Sequence, residues 1–298
     1  IWVSAFGGDF GRDDFFGTGF LYGYSNVAIP YKPAVLTTDQ STCSKGYNGS
    51  NASSPRKNLL NDHVNPYSSN VTCNYTNGFN GTSSAAPMVS GVIALMLEAN
   101  PALNWREVKH ILAATATQVD ASFSATQING LTYVGWVENA AGYKFHSWYG
   151  FGAVDASAAV SSAASFSAGS LGSANTSTWN DSSSESTPVN DLTLFKRSIV
   201  ENNSGVAEHV KIRVAWQHNY APNSFGFRLK SPSNTVSTIL PPLTALTRTP
   251  TTSNWVYLAS NAFYGENING TWELEIVDHF GDSLTGTFAQ WGIQFVYR

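Results

Sequence analysis

Residues 81–87, Gly-Thr-Ser-Ser-Ala-Ala-Pro, run directly into the apolar segment 88–97, Met-Val-Ser-Gly-Val-Ile-Ala-Leu-Met-Leu. The pattern predicts a tight turn that begins a buried helix, with Ser83 at the amino end of that helix. Unpaired backbone N–H groups and the helix dipole favour negative charge at such an end. A serine hydroxyl in this place can attack a bound carbonyl, although a serine in a shorter string of this kind is usually only a helix cap.

Small residues in the first turns favour a nucleophile over a simple cap. Ala85, Ala86 and Gly91 allow the helix to lie close to neighbouring backbone, which an exposed cap does not require. The string resembles the serine motif of the subtilisin-like peptidases, Gly-Thr-Ser-x-Ala-x-Pro, and the similarity continues through residues 98–109. This resemblance implies a serine endopeptidase that hydrolyses peptide bonds through an acyl-enzyme on Ser83.

The first part of the chain resembles the C-terminal half of a subtilisin-like domain. Residues 149–156, Tyr-Gly-Phe-Gly-Ala-Val-Asp-Ala, are similar to the end of kexin-like catalytic domains. The family fold implies an α/β domain, with a parallel sheet and flanking helices, over residues 1–164. Asn104 and Glu107 have the spacing of a capping box, and Asp155 is placed to cap a further short helix.

The second part of the chain has the alternation of an all-β domain. Apolar side chains occupy alternate positions in 210–216 and 272–276, so each strand has one buried and one solvent-facing side. We therefore expect a β-sandwich or jelly roll over residues 165–298. Three segments resemble, in order, the P domain that follows the catalytic domain in kexin-like proteases: 231–234, 270–274 and 286–293.

Serine catalysis requires a base that accepts the proton of the nucleophile and a group that orients this base. In subtilases the aspartate and histidine precede the serine, in Asp-(Ser or Asp)-Gly and His-Gly-Thr motifs, and neither string occurs here. His63 precedes Ser83 but lacks the small residues that follow a subtilase catalytic histidine. We therefore expect sequence upstream of Ile1 to supply both residues, and structural roles for His110, His146, His209, His218 and His279.

Residues Ser4, Ala5, Phe6, Gly7 and Gly8 resemble the strand that lines the S1 pocket of subtilases. In that family the strand ends in Gly-Asn, and the asparagine side chain helps to hold the oxyanion. Gly7-Gly8 stands in its place here. The loss of one such donor lowers turnover on the order of 10²- to 10³-fold, while backbone N–H groups remain as donors.

Two further features concern ions and redox state. The resemblance implies that Asp13 or Asp14 binds a structural calcium ion, whereas a solvated charged loop is the alternative. Cys43 and Cys73 lie in a loop-rich segment that one disulfide would restrain, with two free thiols as the alternative. A disulfide agrees with a secreted protein. No cofactor is expected for the chemistry itself.

Composition limits the partners. The 298 residues are 12% charged, with a net charge of −4 and no basic stripe of the kind that binds nucleic acid. Because Ser90, Gly91 and Glu98 interrupt the apolar segment, we expect no membrane span. The expected partners are protein or peptide substrates and the Asp- and His-bearing part of the same protease.

Two other functions fit parts of the sequence. A catalytically inactive pseudoprotease, in which the P domain acts as a binding module, agrees with the missing oxyanion asparagine. A different serine hydrolase is disfavoured, because the esterase motif Gly-x-Ser-x-Gly does not surround Ser83. The peptidase is the function that the motifs favour.

Overall fold

The computed structural model describes five stretches of the chain: residues 1–8, 35–46, 70–217, 224–242 and 255–298. The chain divides into two compact units. The first unit is Ala5–Leu95, and the second unit joins Ile1–Ser4 to Met96–Arg298. The domain boundary expected between residues 164 and 165 falls at the end of a helix within the second unit, and it stays a prediction.

The first unit contains a two-stranded antiparallel sheet made of β1 (Val35–Thr38) and β2 (Tyr75–Phe79). Cys43 and Cys73 form a disulfide, with their Cα atoms 4.9 Å apart. The disulfide expected from the sequence is therefore confirmed. The two cysteines are 30 residues apart in the sequence, so a loop-entropy argument gives a stabilisation of about 3 to 4 kcal/mol.

Helix α1 (Thr82–Ala99) confirms the helix expected after the serine motif. The expectation that this helix is buried was wrong for the described residues, because most of its side chains are exposed, including Met88, Leu95 and Leu97. The turn before it uses Gly81, whose φ of 75° is a conformation that residues with side chains rarely adopt. The backbone N–H groups of Ser84 and Ala85 donate to the Gly81 carbonyl, at 3.1 and 3.2 Å. Pro87 lies inside the helix, so the carbonyl four residues earlier has no helical N–H donor.

By length and composition alone, α1 is apolar enough to cross a membrane, with 17% of its residues buried. The sequence expectation counted Ser90, Gly91 and Glu98 as interruptions of the apolar segment. The mean hydropathy of the whole helix stays high despite these three residues. The core helix of a soluble protein satisfies the same test. The absence of a membrane span therefore stays a prediction.

Helices α2 (Trp105–Thr115) and α3 (Ala156–Ser165) lie against each other in the second unit. Asn104 caps α2 by accepting the N–H of Glu107, and the Glu107 carboxylate accepts the Asn104 N–H at 3.0 Å. Asp155 caps α3 by accepting a backbone N–H at 2.9 Å. Both caps expected from the sequence are present, because each depends only on residues within one turn.

The sheet content of this region differs from the expectation. Among the described residues, the expected parallel sheet is represented by one parallel bridge, between Ser4 and Ala153. A parallel strand needs a neighbouring strand that is joined to it by a crossover connection. In the described part of residues 1–164, such a parallel pairing occurs only between Ser4 and Ala153. The other strands pair antiparallel in two hairpins, β3 (Thr126–Ile128) with β4 (Leu131–Val134) and β5 (Trp136–Glu138) with β6 (Lys144–His146).

The described residues after α3 contain ten strands. They form two antiparallel sheets, with strand orders β10-β15-β12-β13 and β14-β11-β16-β7, and β8 and β9 also pair with β16. Their bounds are β7 (Asn175–Thr176), β8 (Asn180–Asp181), β9 (Thr187–Val189), β10 (Phe195–Glu201), β11 (Ala207–Gln217), β12 (Phe225–Lys230), β13 (Val236–Leu240), β14 (Val256–Ser260), β15 (Gly270–Asp278) and β16 (Gly286–Tyr297).

One apolar core is enclosed by these two sheets. Alternate residues of β11, among them Val210, Ile212 and Val214, are fully buried in the same cluster as Leu274 and Ile276 of β15. The structure thus confirms the buried faces that the alternation in the sequence predicted. The C-terminal part of the second unit is a two-sheet β-sandwich.

Candidate active site

Ser83 is the second residue of α1, and it is exposed. The N–H groups of Thr82 and Ser83 make no backbone hydrogen bond within the described residues. An exposed hydroxyl and two N–H donors therefore lie together at the positive end of an 18-residue helix. Such an arrangement can hold a nucleophile and stabilise negative charge on the carbonyl that it attacks.

The residue after Ser83 has a different environment. Ser84 is 1% exposed, and its hydroxyl lies 2.6 Å from the Gly7 carbonyl oxygen and 2.8 Å from that of Gly81. A Cβ atom on Gly7 would lie only 2.6 Å from the Gly81 oxygen. The turn that carries Ser83 is thus in direct contact with the segment proposed to bind substrate. Sequence reasoning missed Ser84 because it occupies a variable position of the motif.

The predicted substrate-binding residues are in contrasting surroundings. Ser4 is bonded to its neighbouring strand segment, with its N–H donating to the Gly152 carbonyl at 2.8 Å and its hydroxyl to the same oxygen at 3.1 Å. In the first unit, Ala5 is partly buried and Phe6 is 78% exposed. Gly8 is exposed, with a φ of 68°. Contact of these residues with a substrate stays a prediction.

Four residues named from the sequence lie outside the described ranges: Asp13, Asp14, His63 and His218. The calcium site and the role of His63 therefore stay predictions. Across the ranges that the structure does describe, no group of three or more His, Cys, Asp or Glu side chains is placed to hold a metal ion.

Two of the other histidines bond to neighbouring polar groups in the second unit. His110 Nδ1 lies 2.9 Å from the Tyr264 hydroxyl, and His209 Nδ1 lies 2.9 Å from Asn261 Oδ1. Burial lowers the pKa of both imidazoles from the usual value. These surroundings agree with the structural roles expected from the sequence.

His146 is fully buried among aromatic rings. It stacks on Tyr149, with ring centroids 4.7 Å apart, and its Nδ1 accepts the N–H of Trp148 at 3.0 Å. Within the described part of the chain, its Nε2 has no hydrogen-bond partner. Burial lowers the pKa of His146, which favours the neutral ring.

His279 follows β15 and contacts the β3–β4 hairpin. Its Nε2 lies 2.5 Å from the Tyr133 hydroxyl, and its Nδ1 lies 3.0 Å from the side-chain amide of Asn129. Burial, and then the positive charge of Arg228, lower the pKa of His279 to about 4. This histidine is a neutral packing residue where the β-sandwich meets the hairpin.

Comparison with known proteins assigns both parts of the chain. Residues 45–152 match the subtilase family, and residues 207–295 match the proprotein convertase P-domain. Two bacterial relatives align over 93% of this chain: the extracellular serine protease of Aeromonas sobria, at 28% identity, and the microbial serine proteinase of Aeromonas salmonicida, at 30%. The human proprotein convertase subtilisin/kexin type 6 is 32% identical over 68% of the chain.

The chain spans 44% and 45% of the lengths of the two bacterial relatives. A solved structure of the Aeromonas sobria serine protease, in complex with a chaperone, matches the chain over its full length. That match has a TM-score of 0.82 at 26% identity, and it covers 53% of the protease. The resemblance inferred from the motifs is confirmed: residues 45–152 of this chain belong to the subtilase family, and residues 207–295 form a P domain of the proprotein convertase type.

Proposed function

We propose that this chain is the C-terminal part of a subtilisin-like serine endopeptidase, joined to its P domain, and that Ser83 forms the acyl-enzyme. The observation that carries the proposal is the exposed Ser83 hydroxyl at the amino end of α1. The family match of residues 45–152 includes this serine and supports the same assignment. Serine proteases among the relatives support it further.

The chain's own groups account for two parts of the reaction. A base takes the proton of the Ser83 hydroxyl as the Ser83 oxygen attacks the scissile carbonyl, and the base later gives this proton to the leaving amine. The carbonyl oxygen gains negative charge as the tetrahedral intermediate forms. The N–H groups of Thr82 and Ser83, together with the dipole of α1, favour that charge. Collapse of the intermediate expels the amine and leaves the acyl group on Ser83, from which water then releases the acid product.

The base and its orienting aspartate belong, in this proposal, to residues that precede Ile1 in the full-length polypeptide. Two observations support the assignment. The Asp-(Ser or Asp)-Gly and His-Gly-Thr motifs are absent from the 298 residues, and the chain spans less than half of its bacterial relatives. In the same proposal, residues 4–8 line the S1 pocket, with Phe6 the most exposed of their side chains.

The test uses the full-length polypeptide and a fluorophosphonate, which reacts only with an activated serine. We expect rapid labelling and peptide cleavage in the parent protein, and the loss of both in Ser83→Ala. Ser90→Ala is the matched control, because it removes an exposed hydroxyl from the same helix. Labelling that survives in Ser83→Ala places the nucleophile elsewhere.

The second candidate is an inactive protease whose P domain binds a partner. Gly7-Gly8 in place of the Gly-Asn pair favours it, because a side-chain donor to the oxyanion is missing. A full-length polypeptide that neither reacts with the fluorophosphonate nor cleaves peptides would support this candidate. Cleavage that depends on Ser83 rules it out.

We also propose that the intact protein is secreted, binds structural calcium through Asp13 or Asp14, and has jelly-roll connectivity in its β-sandwich. The Cys43–Cys73 disulfide and the extracellular relative support secretion. Calcium rests on the resemblance of the sequence around Asp13 and Asp14. A chelator should lower the melting temperature of the parent protein and leave that of an Asp13→Asn/Asp14→Asn variant unchanged.

A further inference from the structure

We propose that Ser84 is a positioning residue, whose buried hydroxyl holds the turn carrying Ser83 against the segment that contains Gly7. The proposal rests on the proposed function, because it concerns the alignment of the same nucleophile. It assigns a role to a residue that contacts neither the substrate nor the reacting atoms.

The hydrogen bonds of Ser84 join two separate segments. Its Oγ lies 2.6 Å from the Gly7 carbonyl oxygen and 2.8 Å from the Gly81 carbonyl oxygen. Gly7 is 77 residues away in the sequence, whereas Gly81 belongs to the same turn as Ser83. Because Ser84 is 1% exposed, water does not readily replace its hydroxyl.

The two glycine backbones approach each other too closely for a side chain on Gly7. A Cβ atom on Gly7 would lie 2.6 Å from the Gly81 oxygen and 3.0 Å from the Gly81 carbonyl carbon. The carbonyl oxygens of Gly7 and Gly81 both point at the Ser84 hydroxyl, and they repel each other once this hydroxyl is absent. The loss of the Ser84 hydroxyl therefore separates the two segments and moves the turn.

Movement of this turn displaces the nucleophile, because Ser83 precedes Ser84 directly. A misplacement of about 1 Å in a reacting group lowers the rate on the order of 10²-fold. In this proposal the turn moves, and the segment that contains Gly7, which belongs to the proposed S1 pocket, keeps its place. The effect is therefore expected in kcat and in the rate of acylation, and not in KM.

The experiment compares Ser84→Ala with Ser90→Ala in the full-length polypeptide. Both changes remove one hydroxyl from α1, but the Ser90 hydroxyl is exposed and donates to a carbonyl of its own helix at 3.1 Å. We expect Ser84→Ala to lower kcat and the fluorophosphonate labelling rate on the order of 10²-fold, with KM within about twofold. Ser90→Ala should keep the parent values.

Ser84→Cys provides a graded rescue, because a thiol is a weaker donor of similar shape. Its labelling rate should fall between those of the parent and Ser84→Ala, and it serves as the test if Ser84→Ala does not fold. Parent-like kcat in Ser84→Ala overturns the proposal, as does a loss confined to the melting temperature. A parent protein that is not labelled, or a Ser83→Ala variant that still cleaves, overturns the proposed function instead, and this proposal with it.

Discussion

Gly7 and Gly8 stand where the resemblance expects Gly-Asn, and the two positions differ in what they tolerate. A Cβ atom on Gly7 meets the Gly81 carbonyl, a backbone group that cannot rotate away. Gly8 has a φ of 68°, in the left-handed region that asparagine enters more readily than most residues with side chains. The structure thus requires glycine at position 7 for contact, whereas position 8 needs a residue that adopts a left-handed backbone conformation.

We predict opposite tolerance at these two glycines. Gly7→Ala should lower the free energy of unfolding by about 1 to 3 kcal/mol, because it forces two backbones apart. Gly8→Asn should cost about 1 kcal/mol or less. Urea unfolding of the purified variants measures both values. Equal stability of the parent protein and Gly7→Ala would contradict the contact between Gly7 and Gly81.

We predict that the free energy of unfolding depends on pH through the titration of His279. Its pKa is about 4 in the folded protein and about 6.5 in an unfolded chain, so the folded state keeps the ring neutral. The stabilisation is fully present above pH 6.5 and is lost as the pH falls towards 4. This shift corresponds to roughly 3 kcal/mol.

The variant His279→Gln isolates that contribution, because glutamine does not titrate. The stability advantage of the parent protein over His279→Gln should shrink by roughly 3 kcal/mol between pH 7 and pH 4. Thermal unfolding at a series of pH values measures it. A difference that stays constant with pH would show that protonation of His279 does not oppose folding.

At the scale of elements, the short strands β7 and β8 pair with the long strand β16, and side chains also join β8 to β11. Arg213 of β11 pairs with Asp181 of β8 at 3.0 Å, and its guanidinium lies 4.6 Å from the Trp179 ring centroid and 4.5 Å from that of Trp255. Gly292 leaves the space that this ion pair occupies, since a Cβ atom there would meet the Asp181 carboxylate. A planar guanidinium can stack on aromatic rings while it donates two N–H groups to a carboxylate, whereas a lysine ammonium is a compact, strongly hydrated point charge.

Arg213→Lys should therefore destabilise the segment that contains β7 and β8. We predict a loss of about 1 to 2 kcal/mol and faster amide exchange at Ser182, whose N–H donates to the Trp291 carbonyl at 2.9 Å. Lys196→Gln is the control, because it removes a more exposed cation, which pairs with Glu273 and Glu275, and it should cost less than about 1 kcal/mol. Equal effects of the two substitutions would count against the stacked arrangement.

At the scale of the second unit, the β-sandwich completes a core that the preceding residues cannot close alone. Phe145 and Phe151 are buried in one cluster with Ala262 and Tyr264 of the sandwich. The Asn139 amide donates to the carbonyls of Ala262 and Tyr264, both at 2.8 Å. Removing the sandwich would therefore expose apolar side chains and leave a buried amide without partners.

Truncation tests this dependence. We predict that residues 1–164 alone do not unfold cooperatively, whereas residues 165–298 do, because the sandwich has its own apolar core. Circular dichroism during heating and limited proteolysis distinguish the two outcomes, with the 298-residue chain as the reference. A cooperative transition in residues 1–164 would contradict the prediction.

The sequence by itself determined the local features of this protein. The glycine turn and helix around Ser83, the caps Asn104 and Asp155, and the alternation in β11 and β15 were all predictable, because each depends on residues a few positions apart. The motifs around them also identified the family. Local pattern does not set which strands of a sheet are neighbours, and among the described residues the expected parallel sheet is represented by one bridge, between Ser4 and Ala153.

The tertiary structure alone decided which distant groups meet. Ser84 looked like a variable position of the motif, and only its contact with Gly7 shows the bond that holds the turn. The low pKa of His279 depends on burial against the β3–β4 hairpin. The position of the Arg213 guanidinium depends on β11 and on the segments that contain Trp179 and Trp255. Burial and partner geometry are properties of the folded chain, so no local pattern in the sequence contains them.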